Sequence, residues 1–289
     1  MSGKMGRVHW NGWQEFVKKI CSIRFVGAVI LMAALVCAIA TGIDRVMLDC
    51  QEWITPWMAP HFFDNKYFAT FYGFIVCYMF SDVPFMNRSE LCFALRKGRC
   101  IWCIEKIFAV IMQAFTLTVL TFAATVLVFV PRICLETDWG DLINTMAHSD
   151  DIWKYNLIGN PSPVILEKYT PLQAMILCFL LVWIVSATIG LLMFVLSLYG
   201  SRIAAVSAAV VLTGMNLSEA KFITSSWLPY VTPFNWCRMG LHDEPVFLDV
   251  HDYPSLWFCI GLCSIMIIFI VFGIILKSRH MEFVWNKEE

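Results

Sequence analysis

Hydrophobic positions along this chain gather into six long runs, and polar positions collect between them. The runs cover Phe25–Ile43, Tyr67–Phe80, Ile107–Val130, Leu172–Leu198, Ile203–Leu217 and Ser255–Leu276. None has an Asp, Glu, Lys, Arg or His in its interior. A helix needs about 20 apolar residues to cross a bilayer core, and the two shortest runs reach that length by borrowing interfacial residues. A helix on the surface of a soluble protein keeps a polar stripe, whereas these runs are apolar all round. The pattern predicts an all-α polytopic membrane protein, a single transmembrane domain over residues 1–289 with six spans.

The stretches between the runs have patterns of their own. Trp10, Trp13, Phe16, Val17, Ile20 and Ile23 recur at helical spacing, with Gln14, Glu15, Lys18 and Lys19 on the other face. This predicts an interfacial amphipathic helix within residues 1–24, either a plain anchor or an elbow leading into the first span. The first run is too long for a signal peptide and lacks a small-residue cleavage site, so it is read as a retained anchor. In the connection Asn87–Lys106, Ser89 suits a helix N-cap, Leu91, Cys92 and Leu95 form a short apolar stripe, and Gly98 suits a C-cap. A helix over 87–100, ending in a basic cluster, is expected there. Its plain reading is a basic loop on lipid headgroups; its functional reading is a helix on which a partner pushes.

The segment Pro131–Thr170 is acidic and lacks strong periodicity, which marks it as functional or mobile. Only Tyr199-Gly200-Ser201-Arg202 joins the fourth and fifth runs, a tight antiparallel hairpin. The stretch 218–254 carries Phe222, Trp227, Leu228, Pro229, Tyr230, Pro233, Phe234 and Trp236. It is too apolar for a solvated loop and too interrupted for a span. A re-entrant pair of short helices on the outer side fits, because irregular backbone at membrane depth must pack on protein or line a cavity.

Composition supports the membrane reading: 59% of residues are hydrophobic and 15% charged, against about 25% charged in a soluble domain. Basic residues fix an orientation. With the N-terminus inside and six spans, 14 of the 21 Lys and Arg lie on the inner side with 7 of the 22 acids, a balance of +7. The outer side then holds 7 basic and 15 acidic residues, a balance of −8. Both termini are therefore expected in the cytoplasm. The overall charge of −1 gives no basic field for nucleic acid.

Chemistry is sparse. The chain has no Gly-x4-Gly-Lys-Ser/Thr loop, no His-Glu-x-x-His and no Gly-x-Ser-x-Gly, so no nucleotide, metal or catalytic site is expected in it, and it is not read as an enzyme. Cys100-Ile101-Trp102-Cys103 is a single Cys-x-x-Cys, read as two packing cysteines rather than a zinc or redox site. Cys50, Cys134 and Cys237 fall on the outer side, where one disulfide is permitted. Gln113, Gln173 and Asn216 are read mainly as helix–helix hydrogen-bonding groups. Small residues in the fifth run, Ser207 and Ala208 among them, suit a central position or a dimer seam, with Asn216 assigned to the same pathway or seam.

Taken together, the amphipathic entry helix (Trp10–Ile23), the basic connection Arg88–Arg99, the inner hairpin Gly200–Arg202 and the outer segment Ser218–Pro254 resemble the membrane subunit of a type-2 ABC exporter. Ser81-Asp82-Val83-Pro84-Phe85, Leu95-Arg96-Lys97-Gly98-Arg99 and Trp102 are similar to the inner loop of permeases of this type from Gram-positive bacteria. The resemblance covers nearly all of the chain and implies a half-transporter of the bacterial cytoplasmic membrane. A separately encoded ATPase, which would hold ATP and Mg, would seat a coupling helix carrying Arg88, Glu90, Leu91, Leu95, Arg96, Lys97 and Arg99. A second permease copy or a relative would complete the pathway, and the substrate would be hydrophobic or amphiphilic. The competing reading is a non-transporting membrane interaction or assembly protein. A membrane-embedded enzyme is a third, with only Asp138, Asp141, Asp150, Asp151, Asp243 and Glu244 as candidates, which a solvated loop face explains more simply.

Overall fold

The computed structural model describes residues 12–83, 98–148, 161–218, 228–242 and 253–279. Among these residues the fold is helical, with no strand and one isolated bridge pair, Ile54 with Ile133. Helix α1 covers 12–20. Cys21 and Ser22 interrupt the helical path, and the Ser22 hydroxyl accepts the Phe25 N–H at 3.3 Å, capping α2 (Ile23–Cys50). Then follow α3 (Ala59–Asp64), α4 (Lys66–Met79), α5 (Arg99–Leu127), α6 (Asp141–His148) and α7 (Pro163–Lys168). The chain continues through α8 (Pro171–Tyr199), α9 (Arg202–Ser218), α10 (Leu228–Val231) and α11 (Leu256–Arg279). Four of these, α2, α5, α8 and α11, are long and apolar enough to cross a membrane, and α9 is a shorter apolar helix.

Two helices run beyond the apolar stretches that announce them. α2 continues past Ile43 through Asp44, Arg45 and Asp49, ending where Gln51 turns left-handed at φ 56°. α5 begins at Arg99, directly after Gly98 at φ 97°, a conformation that L side chains rarely adopt. Glu105 and Lys106 therefore sit inside a helix, both buried, and not in a connection. Apolar runs mark bilayer-length stretches, whereas backbone hydrogen bonding continues until a breaker stops it.

α8 is the central helix, packed against α4, α5, α9 and α11. A Cβ on its Gly190 would lie 2.8 Å from both Phe80 and Val110, so the missing side chain is what admits α4 and α5 at that level. α11 is peripheral: Trp257 is 74% and Phe269 71% exposed. Among the described residues, α4 and α9 share a buried polar seam. Asn216 donates to the Thr70 hydroxyl at 2.8 Å, and Cys77 Sγ lies 3.5 Å from the Thr213 hydroxyl.

At one end of the bundle the connections form a stitched cap. The Thr55 hydroxyl donates to Trp139 O (2.8 Å), the Trp57 indole to Glu136 O (2.9 Å) and the Trp139 indole to Tyr169 O (3.1 Å). Side chains bonded to backbone carbonyls in this way give the described parts of the 131–170 connection, 131–148 and 161–170, structure that its weak periodicity did not announce. The Asp64 carboxylate accepts the Gly240 N–H at 2.8 Å, and Arg238 donates to Asp64 O at 2.9 Å. Burial pushes the Asp64 carboxyl above the usual range, opposed by Arg238 and the Gly240 N–H. Of the stretch 218–254, the described part is α10 and two 3₁₀ turns, Pro233–Cys237 and Met239–Leu241. All five residues of the first turn are buried. Its Phe234 fills the gap over Gly73, beside Thr213 and edge-on to Tyr72 (6.3 Å between centroids).

His61 in this cap is buried, packs edge-on to Trp139 at 5.0 Å, and has no hydrogen-bond partner at either ring nitrogen. Desolvation lowers its pKa to about 3. The native state thus holds fewer protons on this ring than the unfolded state once pH drops below about 6.5. Cap stability is full above that value and falls as pH descends from about 6.5 toward 3, by roughly 2 kcal/mol at pH 5. We expect the amide protection factors of 53–65 and 139–146, that is exchange corrected for the intrinsic pH dependence, to fall between pH 7 and pH 5, and His61→Leu to flatten that dependence.

Candidate functional site

The connection between α4 and α5 is the most clearly anchored feature of the opposite end. Its central part, 84–97, carries Arg88, Glu90, Leu91, Leu95, Arg96 and Lys97 and lies outside the described residues; Arg99 opens α5. The helix expected over 87–100 therefore falls largely outside the described residues, while both flanks are defined.

Ser81 and Asp82 form the entry flank, because α4 ends there in a tight turn: the Ser81 hydroxyl donates back to Tyr78 O at 2.8 Å. The same hydroxyl accepts from Arg24 of α2 at 3.0 Å, and Ser81 O accepts from Arg202 of α9 at 2.7 Å. The Asp82 carboxylate faces Arg24 at 3.5 Å and Lys19 of α1 at 3.9 Å. Three elements thus meet the last turn of a fourth. Each partly exposed ion pair contributes only about 0–1 kcal/mol, so this flank is a positioning device more than a source of stability.

The exit flank is tied differently. Cys100 Sγ lies 3.3 Å from the Ser278 hydroxyl of α11. Nearly two turns further, Lys106 is 1% exposed and donates to the Glu15 carboxylate of α1 at 2.8 Å. Its ammonium also sits 5.7 Å from the centre of the Trp102 ring, which packs edge-on to Phe194 of α8. Burial alone would raise the Glu15 pKa, but Lys106 and Lys18 outweigh it and hold the carboxyl below its usual value. α1 is therefore docked on α5 by a charge pair beneath its surface, with Phe16 buried and Trp13 and Val17 exposed. Glu15, placed by periodicity on the polar face, turns inward to meet Lys106.

The other candidates separate in space. Ser207 and Ala208 lie on the exposed face of α9. A shallow depression of about 450 Å³ there is lined by Arg202, Ile203, Val206, Ser207 and Val210. Asn216 does not share that face: it is fully buried and bonded to Thr70 within the same chain. Gln173 caps its own helix, accepting the Thr170 N–H at 3.3 Å, so its amide acts locally and not between helices. Gln113 is buried, with Oε1 left without a partner. The described cysteines, Cys50, Cys134 and Cys237 included, are free thiols. Cys237 is buried, and desolvation pushes its thiol upward. Among the described residues no group of three His, Cys, Asp or Glu side chains is placed to hold a metal ion.

Sequence reasoning did not foresee the Glu15–Lys106 pair. A signal existed: one acid stands alone among the basic residues of a short amphipathic helix, and Lys106 stands at the edge of an apolar run beside Trp102. Ser81 and Asp82 meet α1, α2 and α9, and Cys100 meets α11. Compared with known proteins, the chain matches no family model, no curated protein and no solved structure.

Proposed function

We propose that the chain is the permease subunit of an ATP-driven type-2 ABC exporter in the cytoplasmic membrane of a Gram-positive bacterium. Six helices, α2, α4, α5, α8, α9 and α11, span the membrane with both termini inside, and the 3₁₀ turns at Pro233–Leu241 sit as a re-entrant plug in the outer half. The segment 84–97 is the coupling element for a separately encoded ATPase, which holds the ATP and Mg. A second permease copy or a relative packs along the exposed small-residue face of α9 around Ser207 and Ala208. The cargo is hydrophobic or amphiphilic.

One observation carries this reading: the basic connection is tied to the bundle at both flanks, so that a partner pushing on it moves several helices together. Such a mechanism draws its energy from outside the membrane and needs no ionisable group at mid-depth, where charges cost about 3 kcal/mol on insertion scales. The experiment is affinity purification of the tagged chain in mild detergent from its native host, with the co-purifying proteins identified. A stoichiometric partner bearing a Gly-x4-Gly-Lys-Ser/Thr loop is the expected result. A preparation without any such ATPase would instead assign the chain to non-transporting membrane interaction or assembly proteins.

A further inference from the structure

A cleft of about 430 Å³ opens between the last turns of α2 and the end of α5, lined by Cys37, Ala40, Met47, Val128, Phe129 and Arg132 among others. A second hollow of about 300 Å³ continues beyond Arg132 to Gln51, Glu52 and Trp53. The first is of the size that takes a drug-sized apolar ligand, within roughly 300–1,000 Å³. Its depth matches a bilayer leaflet. At about 1.5 Å per residue, Asp44 lies roughly 30 Å along α2 from Ile23, which is about the thickness of the hydrocarbon core. Cys37, at the floor, is about 10 Å deeper than Asp44 by the same measure. The apolar part therefore runs along the outer leaflet, and the charged mouth stands at headgroup level.

The mouth is built by charge. Arg132 donates one N–H to the Asp44 carboxylate at 2.6 Å, bridging the end of α5 to α2. Its side chain is 41% exposed and that of Asp44 52%, so both groups have capacity left for a ligand. A guanidinium carries five N–H donors. Glu52 beyond it makes the mouth one positive and two negative charges. An anionic headgroup would find one cation and two carboxylates there. A zwitterionic headgroup can place its phosphate on Arg132 and its ammonium between Asp44 and Glu52.

We propose that this cleft binds a zwitterionic phospholipid of the phosphatidylethanolamine type, with an acyl chain along Cys37, Ala40 and Phe129 and the headgroup across Arg132, Asp44 and Glu52. The site rests on the membrane placement of α2 and α5 and is independent of the transport reading.

The test reconstitutes the full chain into vesicles of phosphatidylethanolamine and phosphatidylglycerol in equal parts, re-extracts it gently and measures the retained lipids by mass spectrometry. The wild type should retain phosphatidylethanolamine over phosphatidylglycerol by roughly tenfold, a ratio equal to 1.4 kcal/mol. Ala40→Trp fills the cleft and should leave only annular lipid, less in amount and at the vesicle ratio. Asp44→Asn, at an exposed position that leaves the bundle intact, should keep the lipid but bring the ratio close to one. Retention at the vesicle ratio by the wild type would mean annular lipid only and overturn the proposal. An unchanged ratio in Asp44→Asn would overturn the headgroup assignment. A failed co-purification of an ATPase would leave either outcome readable.

Discussion

Gly73→Ala expels the 3₁₀ turn at Pro233–Cys237 from the bundle. A Cβ at position 73 would lie 2.6 Å from both Phe234 Cδ2 and Thr213 Cγ2, a separation at which something must move. Phe234 and Thr213 are buried, and the Tyr72 ring closes off one direction of retreat. Overpacking of this kind costs typically 1–3 kcal/mol and sometimes more, and it falls where the turn packs against α4 and α9. Cys237, the last residue of that turn, reports the change: it is inaccessible in the wild type. We expect it to react with a maleimide in Gly73→Ala, read as modification of the Cys237 peptide by mass spectrometry. Phe234→Leu in the same background restores space and should restore protection. Gly261→Ala is the control, since a Cβ there meets nothing within 4 Å.

The second large effect lies at the other end. Glu15→Leu withdraws the carboxylate that faces the buried Lys106 ammonium at 2.8 Å. Breaking a buried ion pair by removing one member costs about 3–5 kcal/mol, because the remaining charge stays desolvated. The expected result is a lower melting temperature in detergent and rapid amide exchange throughout 12–20. The double variant Glu15→Leu with Lys106→Leu removes both charges and should recover most of the loss. If the double variant were as unstable as the single one, Glu15 would act through packing and not through charge.

Much of this architecture is legible in the chain because apolar runs report burial in lipid directly. Each of the six runs corresponds to a helix, and four of these helices meet the length and composition of a membrane span. The short helix before Ile23 and the brief link at Gly200 followed from local chemistry that neighbouring helices do not override. What was not legible depends on pairing between distant residues. Glu15 and Lys106 are 91 positions apart, and periodicity places a side chain on a face without saying what that face meets. Asn216 divides: it is the helix–helix hydrogen-bonding group that its polarity suggested, donating to Thr70 of α4, but that bond turns it inward and away from the exposed face of Ser207 and Ala208. Thr55 and Trp139 stitch the cap across 84 positions, which is why the acidic segment between the third and fourth runs showed no strong periodicity of its own.

On the proposed function an ATPase acts on the bundle at the basic connection, and charge reversal there would release it. The double variant Arg96→Glu with Arg99→Glu is compared with the wild type for membrane insertion and for the ATPase recovered per mole of permease. The account predicts normal insertion and loss of most of the co-purifying ATPase. Undiminished recovery of the ATPase would contradict it and leave 84–99 as a basic surface for lipid headgroups.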